Sequence, residues 1–256
     1  LSLRFDVVQT ENFGMNLGFN NTTISNNIEE LGDGIEPIIF NRGQQRHTEG
    51  YSAGGFWQQP ISWDDADGNG KLDNSEVTVA DEAVFIGPAI PTWQRSLFAD
   101  FRLFDFITIS TLVEGRGGHY SATDSEAFRC GRRTTRGCAA VGDPEASLQE
   151  QAAYIADRFG GATGNNSSYG YIQSADFWRW RELSVTFDMP RAISNSVAAL
   201  EGLRITVAGR NLGLLTDFGG LDPETVEGGG NANFSQSEFN TQPPVRMFMI
   251  RLDYNF

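Results

Sequence analysis

The sequence predicts an all-β, antiparallel protein. Segment after segment alternates apolar and polar residues with period two, the signature of strands with one greasy face. No apolar run approaches the length of a membrane-crossing helix. Proline and glycine interrupt the stretches where an amphipathic helix would otherwise start, so no helix is expected.

About seven strands follow in order. Residues 1–7 set Leu1, Leu3, Phe5 and Val7 against Ser2, Arg4 and Asp6, and residues 13–20 set Phe13, Met15, Leu17 and Phe19 against Gly14, Asn16, Gly18 and Asn20. Residues 92–104 place Trp93, Leu97, Ala99, Phe101 and Leu103 opposite Gln94, Ser96, Asp100 and Arg102. Residues 107–113 place Ile107, Ile109 and Val113 opposite Thr108 and Ser110. Leu183, Val185, Phe187 and Met189 share one face of the next strand, and Leu203, Ile205 and Val207 one face of the sixth. In the last, 246–256, Phe248, Ile250, Leu252, Tyr254 and Phe256 oppose Met247, Met249, Arg251, Asp253 and Asn255.

A soluble sandwich with one wet face would alternate in the same way. The connections favour another architecture. Short links, roughly 9–12, Asp105 and 190–202, alternate with very long ones, roughly 21–91, 118–175 and 213–245. Short turns on one side and long loops on the other describe a transmembrane β-barrel of the bacterial outer membrane, with the long loops extracellular. Trp93, Phe104, Phe106, Phe177, Tyr254 and Phe256 near strand ends fit its interfacial aromatic girdles.

The first long loop contains DADGNGKLDNSE, in which Asp65, Asp67, Asn69, Gly70, Asp73 and Glu76 have the spacing of a twelve-residue calcium loop. Asp65, Asp67 and Asn69 each offer a side-chain oxygen, Lys71 its carbonyl, Asp73 a direct or water-bridged ligand and Glu76 two oxygens, while Gly70 permits the sharp turn and Leu72 anchors the middle. Helices are not expected on either side, since Gly54, Gly55 and Pro60 precede the loop and Pro88 and Pro91 follow it. The expectation is one Ca²⁺ ordering a long loop with little core of its own; a plain Asp/Asn/Gly surface turn is the alternative.

Cys130 and Cys138 bracket GRRTTRG and are expected to form a disulfide in an oxidising compartment. A zinc pair lacks partners, because the chain has two histidines and neither stands at ligand spacing. The formal net charge of -14 argues against a nucleic-acid partner. No G-x-S-x-G, Walker loop or H-E-x-x-H occurs, so an enzyme is not expected. The chain starts at Leu1 without a visible signal peptide, which suggests processing or a cut within something longer.

RELSVTF at 181–187, GRNL at 209–212, GLDPE at 220–224 and a closing aromatic strand after Pro243 and Pro244 resemble the C-terminal end of SusC/RagA-like TonB-linked outer-membrane proteins. The acidic Asp/Asn/Gly loop followed by Gly87 to Pro91 and a strand matches as well. The resemblance implies uptake of bulky nutrients, oligosaccharides or peptides, with a SusD-like surface lipoprotein as lid and TonB as energy source. It also implies that 1–256 is the C-terminal part of a roughly 22-stranded barrel, with the plug, the TonB-contacting part and the earlier strands absent. Trp178 and Trp180, placed on the Glu182/Ser184 face, are candidate lumenal ligand contacts; packing against a plug or loops is the bland reading. A calcium-stabilised β-sandwich adhesin or surface-matrix protein is the alternative from another class.

Overall fold

In chain order the strands are β1 (Ser2–Gln9), β2 (Phe13–Thr23), β3 (Ile38–Phe40), β4 (Gln45–His47), β5 (Gly55–Gln58), β6 (Ile61–Trp63), β7 (Val77–Val79), β8 (Val84–Gly87), β9 (Trp93–Leu103), β10 (Ile107–Gly117), β11 (Tyr120–Ala122), β12 (Ile172–Ser174), β13 (Phe177–Asp188), β14 (Leu203–Thr216) and β15 (Met247–Tyr254). Among the described residues, helices α1 (Asp124–Gly131) and α2 (Leu148–Phe159) lie between β11 and β12. The computed structural model describes residues 1–131, 140, 145–190, 202–227 and 235–254. No described helix is long and apolar enough to cross a membrane.

The seven strands read from the alternation form one antiparallel sheet in the order β1-β2-β9-β10-β13-β14-β15. Its register aligns like with like. Met15, Phe101, Ile109, Val185, Val207 and Ile250 are successive cross-strand partners on one face. Asn16, Asp100, Ser110 and Ser184 make the corresponding row on the other. Strands β2, β9 and β10 have 11 residues each and β13 has 12, the length a tilted strand needs to cross a bilayer.

No second sheet packs on the apolar face among the described residues. Phe248 is 74% exposed, Ile250 73% and Leu252 66%. A sandwich would bury such a face against a partner sheet. Aromatic rings mark both ends. Phe104 stacks on Phe106 at 5.5 Å and Phe106 meets Phe187 edge-on at 5.6 Å beside the short turns, while Trp93 lies 5.9 Å from Trp178 beside the long connections. Along β10, the positions opposite Phe187 and Trp178 are Ile107 and Gly115, about 26 Å apart at the usual strand rise.

Two expectations about the loops are corrected. Helices are present: α2 starts at Ser147, whose hydroxyl accepts from Glu150 N–H while the Glu150 carboxylate accepts from Ser147 N–H, and ends at left-handed Gly160. The loops also have their own core. Leu72, Val77, Val79, Cys130, Ala152, Tyr154, Ile155 and Ala156 form one buried cluster, and Phe56, Ala89, Ala122 and Ile172 another. The largest fully buried side chains all lie in the connections, not in the sheet. The described residues of the three connections, within 24–92, 118–176 and 217–246, therefore make a layer stitched from sequence-distant segments. Ala122 N–H donates to Gln236 O and Glu238 N–H returns to Ala122 O, tying the third connection to the second.

Candidate functional site

The acidic loop is held by strands. β6 and β7 pair antiparallel, Trp63 opposite Val77, and Asp64 N–H donates to Glu76 O at 3.0 Å to close the hairpin. Only a single 3₁₀ turn, Asn74–Glu76, follows, capped by the Asp73 carboxylate. The motif keeps calcium-loop spacing on a strand hairpin and has no flanking helix pair, as its neighbouring glycines and prolines lead one to expect.

Within the loop, Gly68 and Gly70 adopt φ of +69° and +76°, the left-handed region that side chains disfavour. Oxygens of Asp65, Asp67 and Glu76 lie within 4.8 Å of one another. Asp65 accepts from Asn69 N–H and Gly70 N–H, and Glu76 accepts from Ala66 N–H and Asp73 N–H, each through a separate oxygen. The Asp73 carboxylate instead takes the hydroxyl and N–H of Ser75, which hold it below the usual carboxylate range.

The donor set fits a hard cation. Residues 64–76 carry five acidic groups against Lys71, net -4 (5 minus 1). Two unit charges about 4.8 Å apart repel by roughly 1 kcal/mol even in water, which a divalent ion would reverse. Asp65, Asp67 and Glu76 stand ready. The Asn69 amide, now donating to Asp67 and accepting from Lys71 N–H, would turn to offer its oxygen, with the Lys71 carbonyl and Asp73 completing the shell.

The loop is anchored where the sequence placed Leu72. That side chain is buried in the cluster with Val77 and Ile155, and its N–H donates to Gln151 Oε1 at 2.9 Å. The Gln151 amide donates in turn to Gly70 O and Ala146 O. One buried glutamine on α2 thus fixes the middle of the loop.

Cys130 sits buried on α1, with Sγ 3.3 Å from Glu126 Oε1. Cys138 lies outside the described residues.

The face expected for Trp178 and Trp180 is corrected by a bulge. Leu112 pairs with Glu182 but Val113 pairs with Trp180, so Arg181 is an extra residue on β13. Glu182 and Ser184 stay on the polar face, whereas both tryptophans move to the apolar one. There the Trp178 ring covers Gly115, where a Cβ would come within 2.6 Å, and Trp180 Nε1 donates to Thr111 Oγ1 at 2.8 Å. An indole with an apolar body and one satisfied polar handle suits an interfacial belt, not a lumenal platform.

The same bulge builds a charged cluster that the sequence reading did not single out. One nitrogen of Arg179 reaches both Asp222 oxygens at 2.6 Å, with the two side chains 4% and 3% exposed. Arg179 Nε lies 2.6 Å from Glu224 Oε2, and Arg181 bridges Glu224 and Glu114. Burial raises the Glu224 carboxyl, but the hydrogen bond and charge of Arg181, with Arg179 behind it, outweigh this and hold it below the usual glutamate range. The GLDPE segment is therefore clamped onto β13 by charge. The readable signal was the two arginines alternating with tryptophans in FWRWRE.

No family model and no curated protein sequence matches the chain. Among solved structures it is similar to the RagAB peptide transporter, with TM-score 0.68 and 16% identity over 97% of this chain and 28% of that one. The RagAB peptide importer in the closed-closed state gives 0.67 and 16%, and in the open-open state 0.66 and 14%. The chain shares its fold with RagAB transporter chains. At these identities the likeness is one of fold, and the chain spans under a third of the length of the chains it matches.

Proposed function

We propose that residues 1–256 form seven neighbouring strands and three outer loops of an outer-membrane β-barrel that imports bulky nutrients, oligosaccharides or peptides. In this reading it belongs to the SusC/RagA-like, TonB-linked type, with the rest of the barrel and plug supplying the missing parts and a SusD-like lipoprotein facing the loops. One observation carries the reading: a single sheet, polar on one face, whose apolar face is bare and bounded by aromatic rings at both ends. Lipid is the solvent that such a face needs. The fold shared with RagAB chains supports it.

The acidic loop is the proposed Ca²⁺ site, with Asp65, Asp67, Asn69, Asp73, Glu76 and the Lys71 carbonyl as ligands. The ion's part is to fasten the hairpin tip of the first loop, whose base is already seated on α2.

Detergent dependence tests the transport reading. Residues 1–256 should sediment as a defined species only in detergent or lipid, or together with further barrel strands. A monodisperse, folded β-protein in plain buffer would overturn it.

A further inference from the structure

Among its paired residues, the apolar face of the seven-stranded sheet carries one charge. Leu3, Phe19, Leu97, Val113, Trp180 and Gly213 are successive cross-strand partners on that face, and every other paired position on it is apolar or neutral except Arg95. One row further out, Arg95 lies between Asn21 and Gly115, and the row continues through Trp178 to Leu215. This is the outer end of the face, beside the Trp93 and Trp178 rings. A cation facing lipid is costly at mid-depth and is tolerated near the interface, where its head meets water or an anion.

The guanidinium has a seat but no counter-ion. Its Nε donates to Asn21 Oδ1 at 3.1 Å, and its Cζ lies 4.8 Å from the centroid of the Trp93 ring. The rings beside it rest on glycines: a Cβ on Gly117 would come within 2.2 Å of Trp93, and one on Gly115 within 2.6 Å of Trp178. These contacts leave the two terminal nitrogens of Arg95 without a partner among the described residues, and the Asn21 amide nitrogen and both indole N–H groups are unused as well.

The opposite face shows what such an arginine otherwise does. Arg102, Arg179, Arg204 and Arg210, on the polar side, all meet carboxylates. Arg95 forms no ion pair among the described residues, although the chain has a net charge of -14. Asp176, on the same corner beyond Gly117, accepts from Gly118 N–H at 2.7 Å instead. An exposed, unpaired guanidinium framed by indoles, at the level where hydrocarbon gives way to headgroups, matches the oxygens of a phosphate.

We infer that Arg95, framed by Asn21, Trp93 and Trp178, binds the phosphate of an outer-leaflet lipid and so fixes the height of the sheet in the bilayer. The assignment rests on the outer-membrane reading, which makes this face lipid-facing and this end the outer one.

Native mass spectrometry of the full chain released from detergent micelles tests it, with diphosphoryl lipid A and fully dephosphorylated lipid A as probes. The phosphorylated lipid should be retained and the dephosphorylated one lost, a comparison that needs no variant. Arg95→Gln should lower the retained lipid about fivefold, and Arg95→Lys less. Arg4→Gln is the control, because Arg4 also lies over a ring, 5.2 Å from the Phe98 centroid, but on the polar face. Both arginines are exposed, so neither change removes a buried contact. Equal retention of the two lipids, displacement of lipid A by excess inorganic phosphate, unchanged retention in Arg95→Gln, or a larger loss in Arg4→Gln overturns the site. A chain that is folded and monodisperse without detergent removes the outer-membrane reading itself, whereas a detergent-dependent chain whose Arg95→Gln variant keeps its lipid removes only this site.

Discussion

Replacing Asp222 by Asn tests whether charge holds the third loop to the seven-stranded sheet. The substitution keeps shape and leaves an oxygen for Glu224 N–H, which now donates to Asp222 Oδ1 at 2.9 Å. It removes the anion from Arg179, a guanidinium 4% exposed that contacts both Asp222 oxygens at 2.6 Å, and turns a donor toward a donor. Uncompensating a buried charge typically costs about 3–5 kcal/mol. Glu224 stays near Arg179 Nε, so the expected loss is about 2–4 kcal/mol. Hydrogen exchange in detergent reports it at the amides of Glu224 and Thr225, which donate to Asp222 oxygens. They should exchange about 30- to 1,000-fold faster, while β10 amides stay protected. Less than about fivefold acceleration would refute the clamp. A double change, Arg179→Met with Asp222→Leu, should restore more than half of the loss, because it removes both buried charges together. A double variant as weak as the sum of the singles would show that packing, not pairing, is what matters.

Three further outcomes are expected. Glu76→Gln should weaken Ca²⁺ binding most among the loop residues, since one side chain would supply two ligands; calorimetry showing no calcium uptake by the unaltered chain removes the site. His119 is 5% exposed and burial lowers its pKa to about 4, so the unfolded chain takes up a proton first as pH falls below about 6.5. Loop stability should thus fall by up to about 3 kcal/mol between pH 6.5 and 4 and be flat in that window in His119→Phe, as followed by exchange of Ala175 N–H, which donates to His119 O. Cys130 and Cys138 should appear as one linked peptide in non-reducing digests of native protein; two alkylatable thiols would dismiss the pairing.

How far the sequence was legible follows from how local each cause is. Strand faces depend on period two alone, and all seven strands of the sheet were readable. Their outer ends were not, because alternation fades where glycines replace apolar residues, at Gly115 and Gly117 on β10 and Gly209 and Gly213 on β14. The bulge at Arg181 did leave a trace: Trp178 and Trp180 are even-numbered, whereas Leu183, Val185 and Phe187 are odd. If all five face lipid, one residue must be extra between them. Ser147 and Glu150 likewise announced α2 through their capping spacing, which a search for alternation passed over. The calcium spacing was visible, but its seat was not. Gln151 reaches Leu72 and Gly70 across some eighty positions, and nothing local encodes such a contact.

The two halves of the structure differ in what completes them. The loop layer closes on itself, with Phe56, Val77, Val79 and Glu238 fully buried and its three segments bonded to one another. The sheet does not. Seven antiparallel strands are an odd number, so β1 and β15 run in the same direction and cannot close as an antiparallel seam. Each leaves one edge of backbone groups unpaired, and in hydrocarbon every such group costs several kcal/mol. Apolar side chains at these edges are largely bare, Leu1 beside β1 at 75% and Phe248 on β15 at 74%. Further strands must therefore lie against both edges wherever this face meets lipid. The loop layer needs no such partners, because its apolar residues and its backbone groups are already satisfied by one another.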